Sequence, residues 1–149
     1  MATHPENHPI FHGVFRHGID DKNRITIPAA WREKDSDDFF LMPHQKHGCL
    51  VVMPPNVFRE FGEKAATHLT PERLVIFKRQ FYADALKVAT DKQGRLLLPV
   101  EYCKNVGLRK DAVLAGCSER FEIWSPANWK TFRVAEKNNY AEVATLVGL

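Results

Sequence analysis

Disulfide frameworks, metal ribbons and membrane spans are all missing from this chain. Its three cysteines, at 49, 103 and 117, form no CxxC pair and cannot all pair with one another. That excludes a stapled scaffold or a zinc ribbon and points to reduced thiols in a cytosolic protein. No apolar stretch approaches the ~20 residues of a spanning helix. The start, Met1 to Pro9, lacks the basic-then-apolar order of a signal peptide. No nucleophile elbow, P-loop, HExxH or paired-carboxylate motif occurs, so no enzyme, cofactor, metal or small-molecule substrate is expected. Charge of one sign is also scarce: 21 Lys and Arg face 18 Asp and Glu, a net of +3. Such a balance permits a nucleic-acid partner without arguing for one, and placement of the charges has to decide.

What is present is one stretch written twice. Asp20-Asp21-Lys22-Asn23-Arg24-Ile25-Thr26-Ile27-Pro28 returns as Asp91-Lys92-Gln93-Gly94-Arg95-Leu96-Leu97-Leu98-Pro99. Asp, Arg and Pro each recur 71 positions later (20 and 91, 24 and 95, 28 and 99). Each copy reads as a polar turn, a short apolar strand, and a proline that opens a helix. Gly94 suits a positive φ, and Asn23 at the equivalent place is the next most tolerant residue. The offset extends beyond the motif: Leu50 meets Phe121, Val52 meets Ile123, Phe58 meets Trp129 and Phe61 meets Phe132. This is a duplication.

The chain divides into an arm (1–9), a first repeat (10–62), a helical connector (63–80), a second repeat (81–133) and a helical tail (134–149). His4 and His8 of the arm, with His12 just beyond it, have helical metal-ligand spacing, but Pro5 and Pro9 break that helix. In the first repeat a strand enters the turn, Ala29 to Lys34 is a short helix, and Phe39–Met42 and Cys49–Met53 are strands. Pro54-Pro55 then opens a helix. Thr70 is the N-cap of the connector, ahead of Pro71. The second repeat has an entering strand from Phe81 to Ala89, a short helix closed by Gly107, strands Asp111–Ala115 and Arg120–Trp124, and a last helix capped by Ser125. Trp31, Trp124 and Trp129 fall on apolar faces and read as core. Cys103 and Cys117 read as inert thiols in apolar surroundings.

A single repeat is too small to hold itself together and leaves strand edges bare. Two copies are too few for a solenoid. They are therefore expected to pair about a pseudo-two-fold axis and present both charged turns on the surface. Lys22, Arg24, Lys92 and Arg95, with Arg16 and Lys87 on the entering strands, suit nucleic-acid contact. The same residues also suit plain intra-turn ion pairs, Asp20 with Arg24 and Asp91 with Arg95, that merely hold a surface loop. Composition leaves both readings open.

The doubled Asp-x-x-x-Arg turn, strand and proline, together with Arg120-Phe121-Glu122-Ile123-Trp124, resembles the MraZ family of bacterial transcriptional regulators over roughly residues 11 to 133. The resemblance implies an α+β fold of two tandem AbrB-like βαββα repeats. These would pair into a small double-psi or swapped-hairpin-type β-barrel with flanking helices. It further implies ring-shaped homo-oligomers in the cytoplasm and nucleoid. Such rings would bind short G-rich direct repeats in double-stranded promoter DNA and usually repress a division and cell-wall gene cluster. By matching position, Lys22 and Arg24 are the implied DNA contacts and Arg95 is their counterpart. Lys92 and Asn23 join them from their place in the loops, with Asp20 and Asp91 orienting the turns. Asn23 stands where the family commonly has Gly, which keeps the turn and adds a side chain able to alter base preference. The rivals are an antitoxin-like module and an oligomeric protein-interaction scaffold without DNA binding.

Overall fold

The computed structural model describes residues 10–33 and 37–149. The expected arm, with His4 and His8, lies outside the described residues. Among the described residues thirteen elements follow in order. The first repeat supplies β1 (Val14–Gly18), β2 (Arg24–Thr26), a 3-10 turn (Ala29–Trp31), β3 (Asp38–Pro43), β4 (Cys49–Met53) and α1 (Pro55–His68). After α2 (Pro71–Asp84) the second supplies β5 (Leu86–Ala89), β6 (Arg95–Leu97), α3 (Val100–Asn105), β7 (Asp111–Cys117), β8 (Arg120–Trp124) and α4 (Pro126–Leu146).

Six strands form one antiparallel sheet in the order β1-β7-β8-β4-β3-β5, and β2 pairs with β6 as a separate two-stranded ribbon. The registers are two-fold symmetric. In the sheet centre Leu50 faces Ile123 and Val52 faces Phe121; exchanging the repeats by 71 positions turns one pair into the other. In the ribbon Arg24 faces Leu97 and Thr26 faces Arg95, with Ile25 and Leu96 opposed at the axis. Each repeat also lends its first strand to the other: β1 pairs with β7, and β5 with β3.

The closed barrel expected from the sequence is not what forms. Among the described residues the sheet is open, because its end strands β1 and β5 lie at opposite ends of the strand order. The three-residue strands β2 and β6 are satisfied by each other, and only a bridge from Ile19 to Ile25 ties the ribbon to the β1 side. The core is closed by packing instead. Ile25, Ile27, Leu96 and Leu98 of the ribbon are buried against Leu41, Leu50, Val52, Leu114, Phe121 and Ile123 of the sheet. Trp31 is 2% exposed, with its ring 4.9 Å from Phe121 and 5.6 Å from Phe11. Its indole Nε1 donates to the His12 carbonyl at 3.1 Å, so the one polar atom of that side chain is satisfied.

The helices differ from expectation in two places. The short helix expected from Ala29 is a 3-10 turn closed by Trp31 N–H to Pro28 O and Arg32 N–H to Ala29 O. The strand expected from Phe81 begins only at Leu86, because α2 continues to Asp84. Phe81 stacks on Phe58 at 4.7 Å and on Phe77, one helical turn earlier, at 4.6 Å. Phe58 in turn stacks on Phe40 of β3 at 4.0 Å. Aromatics that suit a strand by composition are thus used to fasten two helices to the sheet. Thr70 and Ser125 are the N-caps the sequence implies, accepting from Arg73 N–H and Asn128 N–H. Gly107, at φ 75°, ends α3. Trp124 packs with Cys49, Val113 and Ala115 on the sheet's other face, under Trp129 and Phe132 of α4. Cys103 is buried, but Cys117, placed in apolar surroundings by the sequence reading, is exposed where β7 runs into the Ser118 turn.

Candidate nucleic-acid interface

The two charged turns have the same hydrogen-bond wiring. In the first, Asp20 Oδ1 accepts from Lys22 N–H at 3.0 Å and Arg24 N–H at 2.8 Å, and Oδ2 accepts from Arg24 Nε at 2.8 Å. Asn23 N–H donates to the Asp20 carbonyl at 2.9 Å. In the second, Asp91 Oδ1 accepts from Gln93 N–H at 3.0 Å and Arg95 N–H at 2.9 Å, and Oδ2 accepts from Arg95 Nε at 2.8 Å. Gly94 N–H donates to the Asp91 carbonyl at 2.9 Å. The motif needs Asp because one carboxylate must accept two main-chain donors and an arginine at once. It needs Asn or Gly before the arginine because that residue is left-handed, at φ 63° for Asn23 and 78° for Gly94.

The ribbon brings the turns together. Ile25 and Leu96 point inward and are fully buried, so the alternation of a strand turns Arg24, Thr26, Arg95 and Leu97 outward. Arg24 and Arg95 are diagonal neighbours across the pair, a relation that sets Cα atoms about 7–8 Å apart. Each arginine spends Nε on its aspartate yet stays about a quarter exposed, at 26% and 27%. Lys22 and Lys92 are exposed at the tips, and Arg16 and Lys87 on β1 and β5. The ion-pair reading left open by the sequence is present in these atoms: the aspartates hold the turns, and the arginine side chains remain partly exposed. A shallow cleft of about 560 Å³ runs beside the first turn, lined by Lys22, Lys87, Leu86, Leu97 and Val100.

The two turns are backed differently. Asn23 directs its side chain inward: Nδ2 donates to the Leu98 carbonyl at 2.6 Å and lies 3.6 Å from Cys103 Sγ. At Gly94 that space is taken by Arg32, whose guanidinium a Cβ on Gly94 would strike. Arg32 Nη1 donates to the Gln93 carbonyl at 3.3 Å. Positions 32 and 103 are counterparts at the same 71-residue offset, so a turn with a side chain faces a short residue and a turn without one faces a long residue. The sequence shows both turns but gives no sign of Arg32, which reaches across 61 positions. Thr26 and Leu97 were legible by parity alone.

Electrostatics favour the wired state. The main-chain N–H of Arg24, then its side chain and the Lys22 N–H, holds the Asp20 carboxyl below its ordinary value against an opposing effect of burial. The Arg95 N–H and side chain do the same for Asp91. A carboxylate lowered in the folded state stabilises it above the unfolded pKa, and the effect is lost as pH falls through the folded one. The Arg24 and Arg95 amide resonances should therefore stay unchanged from pH 8 to about 5 and move only below about pH 4. An NMR titration checks this; movement near neutrality would contradict the wiring.

A transcriptional regulator MraZ from Desulfitobacterium hafniense (strain DSM 10664 / DCB-2) is 38% identical over 142 residues, covering 94% of this chain and 99% of that protein. The chain belongs to the MraZ family. A second transcriptional regulator MraZ, from Clostridium tetani, is 35% identical over 136 residues, 91% of this chain and 94% of its own length. The MraZ family model, described as "MraZ protein, putative antitoxin-like", matches residues 81–148. Those residues hold the second turn and every element from β5 onward. The MraZ relatives cover enough of the chain to include both turns and the whole ribbon. No helix of the described residues is long and apolar enough to cross a membrane.

Proposed function

We propose that this MraZ-family chain is a non-enzymatic, DNA-binding transcriptional regulator of the cytoplasm and nucleoid. The observation that carries the reading is the exposed ribbon face, on which two turns with the same aspartate wiring set Arg24 and Arg95 as diagonal neighbours. A two-stranded antiparallel ribbon is one of the few elements that fit the major groove of B-DNA, and arginine is the side chain that most often reads guanine there. Lys22 and Lys92 at the tips are placed for the flanking phosphates. Asn23, with its amide turned inward, shapes the first turn. The names of the relatives support regulation of transcription, and the swapped first strands support a tandem AbrB-like origin for the fold.

One ribbon makes few contacts and binds weakly. We infer that affinity arises from several copies in a ring meeting several direct repeats about one helical turn apart. The target is promoter DNA ahead of its own division and cell-wall genes, and the outcome is repression. A footprint over the DNA upstream of its own gene tests this, and a regularly spaced protected ladder is the expected result. Four basic groups per chain imply that log K falls with log salt at a slope of up to about −4 for each engaged chain. A flat salt series would exclude phosphate engagement. Light scattering that shows assembly but no change on adding DNA would favour the scaffold instead.

A further inference from the structure

The two turns share one backbone and differ at the tip. Lys22 and Gln93 are counterparts, each one residue before the left-handed position. Only Gln93 reaches its own arginine: Arg95 Nη2 donates to Gln93 Oε1 at 2.8 Å. Gln93 also gives its main-chain carbonyl to Arg32, which rests over Gly94. Arg32 is partly buried, and its Nε is buried without a hydrogen-bond partner, so this guanidinium is held mainly by the place it fills behind the second turn. The first turn has neither tie. Cys103 replaces Arg32, and Lys22 is a cation that repels Arg24 instead of binding it.

Building on the DNA-binding reading, we propose that Gln93 is a specificity-determining residue, and that the two turns divide the work. Gln93 fixes the fork of Arg95 at one angle, with Nε spent on Asp91 and one Nη2 proton on Oε1. Because Oε1 already accepts from Arg95, the Gln93 amide can make the paired donor-and-acceptor contact that reads adenine only by sharing that oxygen or releasing the arginine. It offers its N–H₂ beside the remaining guanidinium donors. The second tip therefore presents mainly donors, in a fixed arrangement that suits the N7 and O6 acceptors of guanine. The first tip, with an untied Lys22 and a fork tied only through Nε, supplies charge to phosphates and accommodates more sequences.

The test uses the 149-residue chain with a panel of duplexes carrying single base-pair changes, a salt series and a thermal melt for each variant. Gln93→Ala should reduce the preference for guanine over adenine at the pair read by the second turn by about tenfold. Its melting temperature and salt slope should stay at the wild-type values, which a merely structural role for the side chain would not predict. Gln93→Glu keeps an acceptor for Arg95 but loses the N–H₂, so it should retain more of the preference than Gln93→Ala while total affinity falls. Lys22→Gln should lower the salt slope by about one and leave the preference intact. An unaltered preference in Gln93→Ala, or its loss in Lys22→Gln, would overturn the division of labour while DNA binding itself stood. Failure of the wild-type chain to bind any duplex would remove both.

Discussion

Arg24→Ala is expected to abolish binding to promoter DNA and leave the melting temperature within about 2 °C of wild type. The loop should survive because its backbone does not depend on the guanidinium. Asp20 Oδ1 accepts from the main-chain N–H of residues 22 and 24, and both bonds remain with alanine at 24. The salt bridge that is lost, Arg24 Nε to Asp20 Oδ2, joins two partly exposed side chains, and such pairs contribute little to stability. The binding loss is larger. Arg24 is the cation at the centre of the first tip's contact with the duplex, and an oligomer loses that contact once for every chain engaged. Gel shifts and a thermal melt measured side by side check both halves. Undiminished affinity would remove Arg24 from the interface.

The largest loss of stability is expected at Trp31. Trp31→Ala removes a side chain that is 2% exposed and touches Phe11, Phe15 and Phe121. It also strands the His12 carbonyl that accepts the indole N–H. Aromatic-to-alanine changes in a core cost about 3–5 kcal/mol, a large share of the 5–15 kcal/mol or so typical of a domain. Urea denaturation should show the midpoint falling sharply with little change in slope. Trp31 also precedes Arg32, so a variant that still folds should hold its second turn less firmly. Wild-type stability would mean that this aromatic cluster is not the centre of the core.

The features legible in the sequence are those written locally. Asp-x-x-x-Arg followed by an alternating strand is a short-range instruction, and stating it twice in register made the turns, the short strands after them and the symmetric core positions such as Leu50 and Phe121 readable. Thr70 and Ser125 were readable because a cap sits next to what it caps. What escaped depends on distant partners. Phe81 suits helix or strand equally until Phe58 and Phe77 decide for helix. Asn23 has no preferred direction until Leu98, 75 positions away, offers a carbonyl. Whether the sheet closes depends on whether β2 and β6 choose each other, which no window of either strand contains.

Gene duplication ordinarily leaves a spare, free to drift while the original keeps working. Here the exchange of first strands withdraws that freedom: β1 completes the second half and β5 completes the first. Neither half has an independent existence to fall back on, so a damaging change in one is felt by both. The two tips were free to diverge in their side chains, but the framework beneath them had to evolve as one.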